Sequence, residues 1–431
     1  MKNKKETLLI LIILITICVI IFNRDKLYEA KYIEPKDTLL AITINGEIST
    51  TFPTTDMYTG TVECTTGTGK VEWNGTKWVL TTSGITKGST KCNATFITKV
   101  PTFAETILAN NEVKTPITTP GAAISTASEA LLASTEDDYG TSYYFRGAVK
   151  NNYVQFANKC WRIVRVGGDG SVKLILHNDN TAGASNPCDA ANNSASAAFA
   201  RYSGTTYKSA FNSSYNDNAY VGFKYGTVGA STYEATHANT NNSTILTNLE
   251  TWYTNNLAAY ESVIDDNVWC NDKTNVTDTT FNLWNWSNVT GLGYGTNTTF
   301  YSATQRLVSK SGSAGGTSPS LKCTGELSKI NSKVGLITAD ELAFVGYAYG
   351  YELQNSTTYL QENATDTYWW SLSPYYFDGS YASVWNVGGD IGLFGNSYVY
   401  STFGVRPLIS LKSTTNATGN GTSNSPFIIS M

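Results

Sequence analysis

The residue types best suited to chemistry in this chain are concentrated near its C-terminus. Residues 375–400 read YYFDGSYASVWNVGGDIGLFGNSYVY. Tyr375, Tyr376, Phe377, Tyr381, Trp385, Phe394 and Tyr398 supply rings, while Asp378, Asn386, Asp390 and Asn396 supply carboxylates and amides, with glycine and serine between them. Tyrosine and tryptophan offer large, rigid contact area at low entropic cost, and amides offer adaptable hydrogen bonds. This mixture fits non-covalent capture of a glycan or a protein. Successive side chains of a strand point to opposite faces, so about half of these rings would turn inward. Val384, Val387, Ile391 and Val399 read as the better core residues.

Signals for catalysis are sparse. The two histidines, His177 and His237, have no Cys or Ser partner at an informative spacing and read as surface or turn residues. Zinc-protease, nucleophile-elbow, phosphate-loop and dinucleotide-binding motifs do not occur in suitable context. Trp269-Cys270-Asn271-Asp272 resembles a calcium-binding triplet of sugar-binding lectins, but the intervening Cys and its early position mark a false match. No EF-hand-like loop is present. No enzymatic activity, cofactor or metal is therefore expected. A glycosidase would need two placed carboxylates, for which Asp378 and Asp390 are the candidates.

The formal net charge of -4 provides no basic face for nucleic acid. Only 15% of residues are charged, so the surface is largely Asn, Thr, Ser and Gly, and 27 Tyr and 10 Trp remain to be placed. The Asn-x-Ser/Thr triplets that such a composition generates by chance are assigned no role.

The elements that must position the aromatic stretch begin with an apolar run, LLILIILITICVIIF at residues 8–22, preceded by Lys2, Lys4 and Lys5. It is short for a membrane span but reaches with its flanking lysine stems. Small residues for signal cleavage are missing, so residues 1–23 read as a signal anchor or transmembrane helix, and 24–35 as a stalk. The localisation that follows is the cell membrane, single-pass, with the C-terminal portion extracytoplasmic. Six of the seven cysteines lie beyond the run, and none forms Cys-x-x-Cys. An oxidising compartment is expected. Order along the chain suggests the pairs Cys64–Cys92, Cys160–Cys188 and Cys270–Cys323, among 15 possible pairings.

Residues 36–100 alternate apolar and polar positions between turns, a small all-β module, with Asn74-Gly75 as a two-residue hairpin signal. Residues 101–136 are Pro-, Thr- and Ala-rich and read as a linker, with one or two helical turns in PTFAETILANN. A third region, 137–412, opens on a hairpin around Gly167-Gly168-Asp169-Gly170. It continues with helical spacing at Leu246, Leu249, Trp252, Leu257 and Val263. Next comes a helix capped by Thr338 and Glu341, then three or four short antiparallel strands. Residues 413–431 read as a tail.

Several motifs in this third region occur in a fixed order. They are Trp161-Arg162-Ile163-Val164, Leu249-Glu250-Thr251-Trp252-Tyr253, Leu336-Ile337-Thr338-Ala339-Asp340-Glu341-Leu342-Ala343, Trp369-Trp370-Ser371-Leu372-Ser373-Pro374, and Gly404-Val405-Arg406-Pro407-Leu408-Ile409-Ser410-Leu411. In this order they resemble a family of uncharacterised bacterial surface domains, with Leu372 standing where that family has Arg. That family is similar to the C-type lectin-like fold, shared by formylglycine-generating enzymes and by variable ligand-binding proteins. The resemblance implies an α+β architecture: a C-type lectin-like domain over 137–412 with a small all-β N-terminal module after a transmembrane anchor. It also implies a binding surface between the two closing motifs. The cysteine pair of the enzymes has no counterpart in the last hundred residues. Trp369 and Trp370 read as structural, and Arg406 as the partner of an internal carboxylate.

The expected function is cell-surface, adhesin- or receptor-like binding of a glycan or protein. The expected contacts are Tyr375, Tyr376, Phe377, Asp378, Tyr381, Trp385, Asn386, Asp390, Phe394, Asn396 and Tyr398. The alternatives are a polysaccharide-active enzyme and a self-assembling structural envelope protein.

Overall fold

The computed structural model describes residues 39–122, 129–353 and 358–431. The predicted anchor, stalk and Cys18 lie outside the described residues. Among the described residues no helix is long and apolar enough to cross a membrane. The chain divides into two compact units, Met1–Val100 and Pro101–Met431.

The described part of the first unit is all β. A four-stranded sheet runs in the order Glu47–Ser49, Leu39–Ile44, Lys91–Thr98, Tyr58–Cys64, and a separate hairpin pairs Thr68–Trp73 with Trp78–Ser83. The central strand buries Cys92, Ala94 and Phe96, the period-2 alternation of a sheet with one covered face. Leu40, Ile42, Val71 and Trp78 complete that core. The disulfide Cys64–Cys92 joins residues directly opposed in the ladder. The two-residue turn sits at Asn45-Gly46, with φ 50° and 84°, between Ile44 and Glu47. At the predicted Asn74-Gly75 site the loop is longer, because Trp73 pairs with Trp78 and the Asn74 side chain accepts from the N–H groups of Thr76 and Lys77.

The second unit holds two larger sheets around one core. The first runs Leu408–Leu411, Val172–Asn178, Lys159–Val166, Tyr153–Phe156, Phe427–Ile429, Ala417–Thr418, and the hairpin Ala130–Asp137/Gly140–Gly147 joins it at Lys159–Val166. The second runs Lys208–Ala210, Thr402–Gly404, Trp369–Phe377, Ala382–Val387, Phe394–Tyr398. That core holds the fully buried Trp161, Trp252, Trp269, Trp369, Trp370 and Trp385. The helix Thr244–Asn256 buries the predicted Leu246, Leu249 and Trp252, together with Ile245 and Tyr253, and ends before Leu257 and Val263. The helix Ala339–Val345 carries the predicted capping box: Thr338 accepts from Glu341 N–H, and Glu341 accepts from Thr338 N–H.

Three expectations are overturned here. The α+β class with a C-type lectin-like domain does not hold, because strands make up 35% of the structure and helices 13%. Residues 101–122 and 129–136 are no linker. Thr102 caps the helix Phe103–Ala109, which buries Phe103, Ala104 and Ile107 in the main core, and Ala130–Asp137 is a paired strand. Residues 413–431 are no free tail either, since Phe427 lies 5.2 Å ring to ring from Phe103. A few apolar anchors in Thr- and Ser-rich segments suffice to dock them, and composition alone conceals such anchors.

Candidate functional site: an aromatic surface and a charged cleft

The strand Trp369–Phe377 is buried at all nine positions. It lies between Thr402–Gly404 and Ala382–Val387, and the chain covers both of its faces. Tyr375, Tyr376 and Phe377 are consequently core residues, as are Trp385, Asn386 and Phe394. Trp385 packs against Tyr375 at 4.7 Å and Phe394 at 4.6 Å. The expectation that these six face a ligand is corrected. A central strand covered on both sides cannot present its rings outward, whatever their chemistry.

The other predicted contacts remain accessible in part. Tyr381 and Asp390 are exposed, and Asp378, Asn396 and Tyr398 are half-buried. Asp390 accepts from Ile391 N–H in the Gly-rich loop. Asp378 fixes a turn by accepting from Ser380 N–H at 2.8 Å and Tyr381 N–H at 2.7 Å, with Gly379 at φ 96°. The Asp378 carboxylate is therefore a structural acceptor. Ser383 donates to Asn396 Oδ1 and to the Ser397 carbonyl, which holds the Asn396 amide on the outer strand.

Around Tyr381 four tyrosines meet. Tyr381 lies 4.8 Å from Tyr398, Tyr398 stacks on Tyr400 at 5.8 Å and 15°, and Tyr215 lies 4.8 Å from Tyr400. Tyr215 is 38% exposed and Tyr400 42%. Tyr215 comes from an irregular segment far upstream and is held by its carbonyl, which accepts from Ala382 N–H at 2.7 Å. Sequence reasoning missed it because residues 180–240 carry no periodic pattern.

A second platform adjoins the same strand. Trp284 and Trp286 stack over Phe300 at 5.6 Å and 5.1 Å, and both reach Tyr376, at 5.2 Å and 5.1 Å. Trp284 is 41% exposed. The Asn282 side chain donates to the Trp286 carbonyl and accepts from its N–H, and Asn285 takes φ 56°, so the loop is fixed locally. The W-N-W triplet at 284–286 was the available signal. Burial, and then the neighbouring Tyr398, push the Tyr376 hydroxyl well above the usual tyrosine range.

Elsewhere in this unit a cleft with a cavity of about 50 Å³ gathers charges of both signs. Arg306 bonds Asp340 through Nε and Nη2, at 2.7 Å each, and Asp272 through Nη1 at 2.8 Å. Beside it Arg165 and Lys173 both reach Glu341 Oε1, at 3.0 Å and 2.8 Å, and Arg165 also holds Asp137 at 2.9 Å. Burial would raise the Glu341 carboxyl, but Lys173 and Arg165 outweigh it and hold the group down at about 2. The disulfide Cys270–Cys323 borders the cleft. Asn271 serves the fold: its side chain accepts from Phe223 N–H and donates to the Leu372 carbonyl. Among the described residues no group of three or more His, Cys, Asp or Glu side chains converges to hold a metal ion.

The histidines and Arg406 also depart from expectation. His177 and His237 are buried rather than surface residues. Burial, then Lys273, pushes His237 down to about 3. The ammonium of buried Lys273 donates to the carbonyls of Lys224 and His237 and to Asn239, and burial pushes it down to about 7. Arg406 pairs with no carboxylate among the described residues. It donates to the carbonyls of Leu176 and Leu360 and stands over the Trp369 ring at 4.9 Å. The three disulfides join the cysteines in chain order, as expected.

Among known proteins, no curated protein and no solved structure matches the chain. Residues 268–413, which contain both tryptophans of the platform, the cleft's Asp272, Arg306 and Asp340, and all of the tyrosine cluster except Tyr215, match a domain of unknown function (DUF6273).

Proposed function

We propose that this chain is a ligand-binding protein of the cell surface that captures a glycan on the tyrosine cluster. The observation that carries this reading is the cluster itself. Four tyrosines from two distant segments contact one another at the surface, beside the fully buried strand Ala382–Val387. Rings fixed in this way lose little freedom on binding, and their hydroxyls and the Asn396 amide add polar contacts. Three disulfides support a location outside the cytosol, with the apolar run at residues 8–22 as the means of retention at the membrane.

The enzymatic alternative asks for two carboxylates in one cleft. Asp272 and Asp340 meet that condition, but one guanidinium holds both. A general acid must instead offer a proton to the leaving group. The arrangement favours a structural role for these carboxylates.

The test is a glycan array probed with the full chain and with its Tyr381→Ala and Tyr400→Ala variants. Capture of a defined glycan set, lost in both variants while their melting temperatures hold, is the expected result. Absence of any glycan signal, or capture indifferent to both substitutions, refutes the reading.

A further inference from the structure

Among the described residues three arginines are fully buried, Arg146, Arg162 and Arg406. Two of them are complete. Arg146 bonds Glu129 through Nε at 3.0 Å and directs its other nitrogens at the carbonyls of Thr118, Ala343 and Phe344. Arg162 bonds Glu362 through Nη1 at 3.0 Å, Asn152 through Nε at 2.7 Å and the Val149 carbonyl through Nη2 at 2.7 Å. Arg406 differs on both counts. Its two hydrogen bonds go to the neutral carbonyls of Leu176 and Leu360, and its Nη2, closed off from solvent, donates to no described residue. Buried Lys273 also lacks a carboxylate, but a lysine can release its proton, and burial brings it down to about 7. A guanidinium has no such escape. Burial brings Arg406 down only to about 10, so it carries its charge at neutral pH.

The surroundings add positive charge rather than offset it. Next to Leu176, His177 is driven well below the usual histidine range by burial and then by Arg162, Arg406 and Lys150. The carboxylates that bear on Arg406 and its neighbour Tyr359 are already held. Glu362 is bonded by Arg162, Lys150 and the Tyr153 hydroxyl, and Glu341 by Arg165 and Lys173. Tyr359 precedes Leu360, whose carbonyl accepts from Arg406, and its buried hydroxyl has no partner among the described residues. Burial pushes that phenol far above the usual tyrosine range, so it stays an O–H donor. We propose that Arg406 Nη2 and the Tyr359 hydroxyl hold one small monovalent anion, a halide such as chloride, as a fixed part of the core. One positive charge is left uncompensated, and one negative charge balances it. A halide only accepts hydrogen bonds, which suits N–H and O–H donors, whereas water brings no charge. With Arg406 1% exposed and Tyr359 fully buried, a larger carboxylate or phosphate ligand has no way in. The site stands independently of the glycan-binding reading.

Bromide, which scatters anomalously, replaces chloride in the deciding experiment. The full chain is purified and crystallised in bromide, and a peak is expected within hydrogen-bonding reach of Arg406 Nη2 and the Tyr359 hydroxyl. In solution the chain is melted in rising sodium chloride, with sodium gluconate holding ionic strength constant. The midpoint is expected to rise by about 2–3 °C for each tenfold increase in chloride. Tyr359→Phe, which keeps the ring and removes the O–H, makes that dependence shallower, and Arg406→Met removes it. A bromide peak at the site with a flat midpoint still supports the proposal, because an anion held tightly enough is saturated throughout. Bromide found only elsewhere, or water in its place, overturns the proposal whatever the midpoints do. A chloride dependence that survives both substitutions overturns it as well.

Discussion

The rings of Tyr215 and Tyr381 lie face to face, 5.1 Å apart and 10° from parallel, although the two residues are remote in sequence. The Tyr215 carbonyl accepts from the N–H of Ala382, so a backbone hydrogen bond sets the stack. Tyr215→Ala removes one ring and leaves that bond. The expected cost is about 0.5–1.5 kcal/mol of stability, the range of an aromatic pair. Chemical denaturation measures it, and a loss of several kcal/mol would mean that the cluster is core rather than surface.

Trp385→Ala tests the opposite assignment. This ring is fully buried against Tyr375 and Phe394, and a large-to-small change there is expected to cost about 3–5 kcal/mol. Urea unfolding of the variant gives the number. A cost near that of Tyr215→Ala would show the Trp385 side of the sheet to be open, and would return Trp385 to the binding surface.

Arg306→Met leaves Asp272 and Asp340 buried without their cation. Removing one member of a buried ion pair is expected to cost about 3–5 kcal/mol, because the remaining charge is uncompensated. Adding Asp272→Asn and Asp340→Asn to that variant should recover much of the loss. Failure of the triple variant to recover would point to a role for the carboxylates beyond ion pairing.

Stability should depend on pH at both ends of the range. His237 titrates at about 3 in the native state against 6.5 when unfolded. As pH falls from 6.5 toward 3, the unfolded chain takes up a proton that the native state refuses, and stability declines. Glu341, held at about 2, adds a contribution that is complete above its unfolded value of 4.5 and is lost as pH falls toward 2. Lys273 acts on the alkaline side. With its native value at about 7 and its unfolded value at 10.5, the unfolded state binds more protons in that window, and stability rises with pH across it. Urea midpoints followed across pH should therefore flatten between 3 and 6.5 in His237→Phe, and between 7 and 10.5 in Lys273→Met. Unchanged slopes in both variants would locate the titrating groups elsewhere.

Reduction of the buried Cys160–Cys188 bridge is a further check. It closes a loop spanning 28 residues, and its loss is expected to cost about 3–4 kcal/mol by the chain-entropy account. The double Cys160→Ala/Cys188→Ala variant should melt well below the parent. Equal melting temperatures would mean the bridge adds nothing to the fold and would weaken the case for an oxidising compartment.

Local order was legible in the residues themselves. Trp161 to Val166 and Val172 to Leu176 alternate about a Gly-rich turn and pair as read, and Thr338 with Glu341 fixes the start of a helix. The order of the cysteines gave the disulfides, because each pair closes a local loop. These features depend on neighbours along the chain, and neighbours are what a sequence displays. What it could not display is coverage. The period of a strand says which side chains share a face, but not whether that face meets water or another layer. Trp369–Phe377 became central and doubly covered, so its rings turned into core. Arg162 and Arg165, which alternate with apolar residues and would face solvent on an open sheet, instead meet Glu362, and Asp137 with Glu341, from distant segments. The tyrosine cluster needed Tyr215, and the platform needed Trp284 beside Tyr376. Only long-range packing could bring these residues together, because nothing local in either segment specifies its partner.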